Sequence, residues 1–464
     1  MRAVKILLLL LVTLAPAALL ANDIILPSAE RLVLNNGTVL ILSENHDVPL
    51  IGLEAIIRGG AITDPTDKSG LANLVAGLLQ KGAGSRDAAE FAEAAASVGG
   101  ELSASADLES LHISAEFMAQ DAALMIELIA DMLLRPNLDK QEFEKLRDRS
   151  VNLIKSAKGS DPNVLMESYA NAFLFAAHPY GNSLSGSETS LVNISYRDIG
   201  DYYDEMFGGD RLIVSVAGDF DSGTMRDALA AALGDWQAAP GALPDFLPVE
   251  SLNDRRVYLI DKPGATQSYF YIGNVGVAKD FPGRADLDLA NTVLGGRFSS
   301  MLNTALRVES GLSYSARSTL SRYRHSGSVF IRSFTETSTT LKAIDVALGV
   351  LAQLQESGLD ETVLTSARNY VMGQFPPQIE TASQIAAMFA SLEASGLDES
   401  YINDYEAKLA AATPDSVAAV INDVYPASDS LVFVILGDAE LIRDQVSQYG
   451  PLTEISISEP RFHP

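Results

Sequence analysis

Gly70-Leu71-Ala72-Asn73-Leu74-Val75-Ala76-Gly77-Leu78-Leu79-Gln80-Lys81-Gly82-Ala83 is the stretch whose reading decides the fold. Its apolar residues recur at three- and four-residue spacings and a glycine closes it, which predicts a helix of about three turns. Side chains three and four apart project together, so positions 73, 76 and 77 share one face. A metal-hydrolase helix would present two imidazoles four apart there, with a carboxylate between them to take a proton from metal-bound water. Asn73, Ala76 and Gly77 offer neither group. Taken alone, the stretch is a core helix.

Working outward, the order of elements repeats. Upstream, Asn35-Asn36-Gly37 between Arg31–Leu34 and Thr38–Leu42 is a hairpin signal, and Pro49 to Ile57 gives a further strand. Downstream come a helical pattern from Arg86 to Val98, strands Glu101 to Asp107 and Ser110 to Phe117, and helices over Gln120–Leu134, Lys140–Ala157, Asn163–Phe175 and Ser195–Met206. A strand, Leu212 to Ala217, ends on Gly218-Asp219, and a helix over Ser222–Leu233 follows. Residues 237–249 hold three prolines and little periodicity, which marks a linker.

The pattern then restarts with strands Arg256–Ile260 and Gln267–Ile272, helices Ala285–Leu294 and Ser300–Val308, and strands Ser313–Thr319 and Gly327–Phe334. Helices fill most of Thr339–Tyr425, and strand Leu431–Leu436 ends on Gly437-Asp438 as the first half ended on Gly218-Asp219. This predicts a duplicated α+β unit: residues 22–236 and 250–464, each a mainly antiparallel mixed sheet covered by helices.

Composition narrows the function. Met1-Arg2-Ala3-Val4-Lys5 followed by an apolar run to Ala21 has the form of a secretory leader, expected to be cut after residue 21. The formal charge is −27, becoming −29 without Arg2 and Lys5. A surface so acidic argues against nucleic acid as partner, because phosphate recognition starts from cationic groups. The sequence has no cysteine, so packing must stabilise an exported chain without disulfides. A periplasmic location and no stable membrane insertion are the expectations. Gly59-Gly60 and Gly295-Gly296 lack the spacing and Lys-Ser/Thr ending of a phosphate loop.

The Gly70–Ala83 phrase resembles the zinc helix of the pitrilysin/insulinase-type metallopeptidases, the inverted zincins, and most of all their processing-peptidase-like branch. The resemblance implies zinc ligands at the positions of Asn73 and Gly77 and the general base at Ala76, all three replaced here. The family's third ligand is a glutamate on a later helix, which resembles Glu142–Lys155 followed by Asp161-Pro162. From Arg149 through Pro162 there is no Glu. His46, His112, His178 and His325 are scattered and suggest no replacement site; His178, in a His-Pro-Tyr-Gly turn, looks structural.

A second motif, Leu294-Gly295-Gly296-Arg297-Phe298-Ser299-Ser300-Met301-Leu302 with Leu306-Arg307-Val308-Glu309-Ser310-Gly311-Leu312-Ser313-Tyr314, resembles the family's Arg/Tyr segment; relatives often place Arg at the position of Met301. The resemblance implies that Arg307 and Tyr314 hold the scissile region of a peptide, a guanidinium on a backbone carbonyl and a phenol beside developing charge. Gly100, Leu102, Ser103, Ala104 and Ser105 lie where relatives pair an exposed strand with a peptide backbone, although such small residues fit an ordinary packed edge equally well.

Together these imply the LuxS/metalloenzyme-like metallopeptidase clamshell with no metal and no catalytic residue in this chain. The expected role is a non-catalytic, substrate-binding subunit of a heterodimeric zinc peptidase that acts on extended peptides. Its partner would be a homologous zinc-bearing subunit, with the cavity between duplicated halves. The other expectation is an inactive homo-oligomeric peptide-binding or scaffold protein.

Overall fold

A computed structural model of the chain describes residues 25–464, so the predicted leader over residues 1–21 lies outside the described residues. In the first half, β1 (Glu30–Val33), β2 (Val39–Glu44), β3 (Leu50–Arg58), β4 (Glu101–Ala106), β5 (Ser110–Met118) and β6 (Leu212–Gly218) form one sheet in the order β1-β2-β6-β3-β5-β4. In the second, β7 (Arg256–Asp261), β8 (Gln267–Gly276), β9 (Ala316–Arg322), β10 (Gly327–Glu336), β11 (Val432–Gly437) and β12 (Leu452–Ser456) follow the order β12-β7-β11-β8-β10-β9. Five positions repeat strand for strand. The sixth is filled from opposite ends of the chain, by β1 antiparallel to β2 and by β12 parallel to β7. Parallel pairs β2–β6 and β7–β11 make both sheets mixed, as the duplicated pattern predicts.

The halves are joined by exchange. The Met166–Phe175 helix of the first half packs on β8 and β11, while the Ala382–Ala394 helix of the second packs on β3 and β6. Strand alternation shows this directly, since successive side chains point to opposite faces. On β11, Val432, Val434 and Leu436 belong to the core that contains Met166, Tyr169 and Leu174, whereas Phe433 and Ile435 join the second half's own core. On β2, Leu40 and Leu42 face the first half's helices, and Val39 and Ile41 join the core that holds Phe389. Phe173 stacks on Tyr258 with ring centroids 4.7 Å apart. A Cβ at Gly52 of β3 would run into the Ser383 backbone, so a glycine lets the exchanged helix approach. Chain ends add to the seam: Arg31 pairs with Glu393 at 2.8 Å, and the Lys158 ammonium donates to the Glu459 carbonyl at 2.6 Å.

Exchanged helices pack along the seam between the halves, where clefts of about 110 Å³ and about 260 Å³ lie. Some elements differ from the sequence reading. The helix begun at Arg284 ends at Asn291 and widens into a π turn over Thr292–Gly296; a second π turn, Thr304–Glu309, follows the short Met301–Asn303 helix. The strand expected over Ser313–Thr319 is β9, three residues later. A short helix at Glu188–Asn193, a helix at Ala439–Val446 and β12 were not foreseen. Between Leu233 and Arg256 there is neither helix nor strand.

Candidate functional site

The helix at Leu71–Leu79 starts from Gly70, whose φ of 95° lies in the left-handed region that glycine tolerates. Its first free amides converge on one buried carboxylate: Gly70 and Leu71 donate to Asp64 Oδ2 at 2.9 and 3.0 Å, and Ala72 to Oδ1 at 3.0 Å. An anion here satisfies the unpaired N–H groups and the positive end of the helix dipole. Burial pushes the Asp64 pKa up to about 7, against the three N–H bonds that hold it down. Asp64 was missed in the sequence because cap residues are sought immediately before a helix, and this one lies in a turn several residues away.

On that helix Ala76 is buried, and Asn73 and Gly77 are half-buried. Leu146, from the Lys140–Ser160 helix, puts a methyl 3.4 Å from where a Gly77 Cβ would stand. The face that would grip a cation thus holds a carboxamide, a methyl and a hydrogen, closed by leucine. Among the described residues no group of three His, Cys, Asp or Glu is placed to hold a metal ion. The residues present do not fit zinc, which needs at least three nitrogen, sulfur or oxygen ligands from protein.

His46 and His112 are tied into carboxylate contacts of their own, while His178 and the His325 backbone N–H both bond Tyr180. His112 bridges Glu54, at 2.7 Å from Nδ1, and Asp107, at 2.9 Å from Nε2. Burial disfavours its charge, but the bonds to Asp107 and Glu54 prevail and push its pKa up to about 9. His46 sits on the surface between Glu44 and Asp219. His178 accepts the Tyr180 N–H at 3.2 Å and packs on the Tyr180 ring.

β4 is an outermost strand, with Glu101, Ser103 and Ser105 exposed and Leu102 and Ala104 half-buried. Gly100 lies against the Phe117 ring, where a Cβ would not fit. An open groove of about 510 Å³ runs beside it, floored by Phe91 and Ala95 and bounded by Gln80, Leu102 and Ser103. The edge is not wholly free: Gln80 Nε2 donates to the Ala104 carbonyl at 2.8 Å.

Arg307 lies in the second π turn, a distortion common at functional sites. Its Cζ stands 4.4 Å from the centre of the Tyr314 ring and 5.0 Å from that of Phe298. Tyr314 and Phe298 are 71% and 70% exposed, so the stack faces solvent. These residues were expected to act together, and Arg307 and Tyr314 are adjacent; Phe298 was quoted in the motif but given no role. Arg307 and Tyr314 border a recess of about 480 Å³ that also involves Gln267, Leu312, Phe334 and Glu336, built from the second half alone. The degenerate helix is in the other half, and the two sets do not share this recess.

The two interlocked sheet-and-helix lobes form a bilobed clamshell, and the described residues bring together no metal-ligating cluster. Residues 39–188 match the family described as Insulinase (Peptidase family M16), and residues 193–371 match Peptidase M16 inactive domain. The chain belongs to the M16 (pitrilysin/insulinase) peptidase family. It is 26% identical over 349 residues to the "Non-peptidase homolog YmxG" of Helicobacter pylori, covering 74% of this chain and 79% of that one. It is 23% identical over 354 residues to the "Uncharacterized zinc protease YmxG" of Bacillus subtilis, covering 76% and 85%. Its fold is shared with a crystal structure described as a protease from Helicobacter pylori, with TM-score 0.82, 20% identity and coverage of 89% and 100%. The periplasmic protease PqqL of Escherichia coli matches with TM-score 0.75 and 14% identity, over 89% of this chain and 46% of that one. The chain thus resembles a catalytically inactive M16 peptidase domain.

Proposed function

We propose that this chain is the non-catalytic, substrate-binding subunit of a two-chain zinc metallopeptidase acting on extended peptides or unfolded proteins. The leader over residues 1–21 is removed, and the subunit works in the periplasm beside a homologous partner that carries the zinc. The observation that carries this reading is the contrast between the two motifs. The metal face of Asn73, Ala76 and Gly77 is chemically empty, yet Arg307 and Tyr314 remain adjacent, facing solvent, with no carboxylate within 4 Å of the guanidinium among the described residues. An arginine free of an internal acid is available to a peptide carbonyl, and a phenol beside it can donate to the oxygen on which charge develops. In this reading both act at the partner's metal, and β4 guides the peptide backbone.

The chain alone hydrolyses nothing. Mixed with a zinc-bearing partner, it raises cleavage of an unfolded substrate, and Arg307→Ala or Tyr314→Phe lowers that gain by about tenfold or more, the size of one transition-state hydrogen bond. Full activity in both variants would remove the role. The second reading, an inactive homo-oligomeric peptide-binding scaffold, draws support from the relative named a non-peptidase homolog. It predicts a stable self-assembly by sedimentation and no gain on mixing.

A further inference from the structure

Where β3 ends, the seam between the halves opens into the cleft of about 110 Å³, lined by Arg58, Lys279, Arg324, Ser391 and Ser395 together with acids from the β4–β5 turn. Lys279, half-buried, donates to Ser395 Oγ at 2.8 Å and Ser391 Oγ at 3.1 Å. Among the described residues it has no carboxylate within 4 Å, and the Arg324 guanidinium makes neither hydrogen bond nor ion pair.

The acids nearby are already engaged by donors of their own. Glu109 accepts the Tyr180 hydroxyl at 2.6 Å and the Arg324 backbone N–H at 2.9 Å. Asp107 accepts two backbone N–H groups, at 2.7 Å from Glu109 and 2.6 Å from Ser110, and faces His112. Desolvation draws the Lys279 and Arg58 pKa values below their ordinary ranges, partly offset at Lys279 by the charges of Glu109 and Asp107 and at Arg58 by Glu393, 3.6 Å away. Cations gathered in a small concave site, with hydroxyls beside them, make the donor set that binds oxyanions.

We propose that this cleft binds a small oxyanion, a phosphate or a carboxylate group, between Lys279 and Arg324 of the second half, at the seam where that half faces the end of β3. The competing account is that Lys279 only caps the last turn of the Ala382–Ala394 helix, where a cation suits the dipole. Calorimetric titration of the full chain with inorganic phosphate and with succinate, at ionic strength matched by sodium chloride, separates the two. The expected result is saturable binding of one anion, which identifies the source chemistry, weakened about tenfold or more in both Lys279→Met and Arg324→Gln, since each removes a charge-assisted bond. No saturable heat from either anion, or affinity unchanged in both variants, would overturn the site. If Lys279→Met fails to fold, Arg324→Gln decides, because its side chain supports no described contact. Unchanged affinity in that variant refutes the proposal.

Discussion

The helix that follows β3 and the helix that follows β8 occupy equivalent places in the two sheets, yet they are secured by opposite means. Leu71–Leu79 carries no charged residue and is held from outside, its first amides bonded to Asp64. Arg284–Asn291 supplies its own polar anchors: Asp288 receives Arg322 at 2.5 Å and the Tyr405 hydroxyl at 2.7 Å, while Arg284 stacks 3.7 Å from the Tyr401 ring centre. The first-half helix has no ionisable group of its own, and an acid outside it fixes its start. Its position therefore needs no ligand on the helix face itself.

The largest effects test whether the halves are one unit. Phe389 is buried in the core formed where the second half's exchanged helix meets the first sheet, and Leu174 is buried in the reciprocal core. Phe389→Ala is expected to cost about 3–5 kcal/mol and Leu174→Ala about 2–5 kcal/mol. Because each helix completes the other half's sheet, either variant should still melt in one cooperative transition by calorimetry. Two separated transitions would mean that the halves unfold independently.

Next in size is the comparison of anchors. Asp64→Ala leaves three buried amides without an acceptor, a loss of about 2–3 kcal/mol. Asp288→Ala breaks a pair that is more open to solvent, with side chains 23% and 15% exposed, and should cost only about 1–2 kcal/mol. The pH dependence sharpens the test. A folded pKa raised to about 7 makes the Asp64 contribution greatest below the ordinary carboxylate range and lets it shrink as pH rises through about 7. Denaturant titration from pH 5 to 8 should therefore show the Asp64→Ala deficit narrowing. A deficit that widens would mean that the three amides, not burial, control its ionisation.

Much of this was legible in the sequence and some could not be. The duplication showed in two strands ending on Gly-Asp, and the vacant metal face in Asn73, Ala76 and Gly77, because strand alternation and helical spacing are local. The exchanged helices were not legible: Met166–Phe175 and Ala382–Ala394 are largely apolar whichever sheet they cover, and an apolar pattern does not name the partner. The π turns were read as helix because one extra residue per turn barely disturbs an apolar pattern. Asp64 was invisible because its bonds skip over the turn that separates it from the helix it caps.

The smallest effect concerns the outermost strands. Both equivalent segments end against one, but differently: in the second half Gly295 meets the Ser318 backbone so closely that a Cβ would overlap it, while in the first half a side chain, Gln80, donates to Ala104. A backbone contact cannot be released without moving the chain, whereas an amide can swing away. Gln80→Ala should therefore change stability by less than about 1 kcal/mol, the worth of one half-exposed hydrogen bond. If β4 takes up an extended peptide as an added strand, freeing the Ala104 carbonyl should tighten binding of an unfolded polypeptide, measured by fluorescence anisotropy; binding that weakens would mean that Gln80 itself holds the guest.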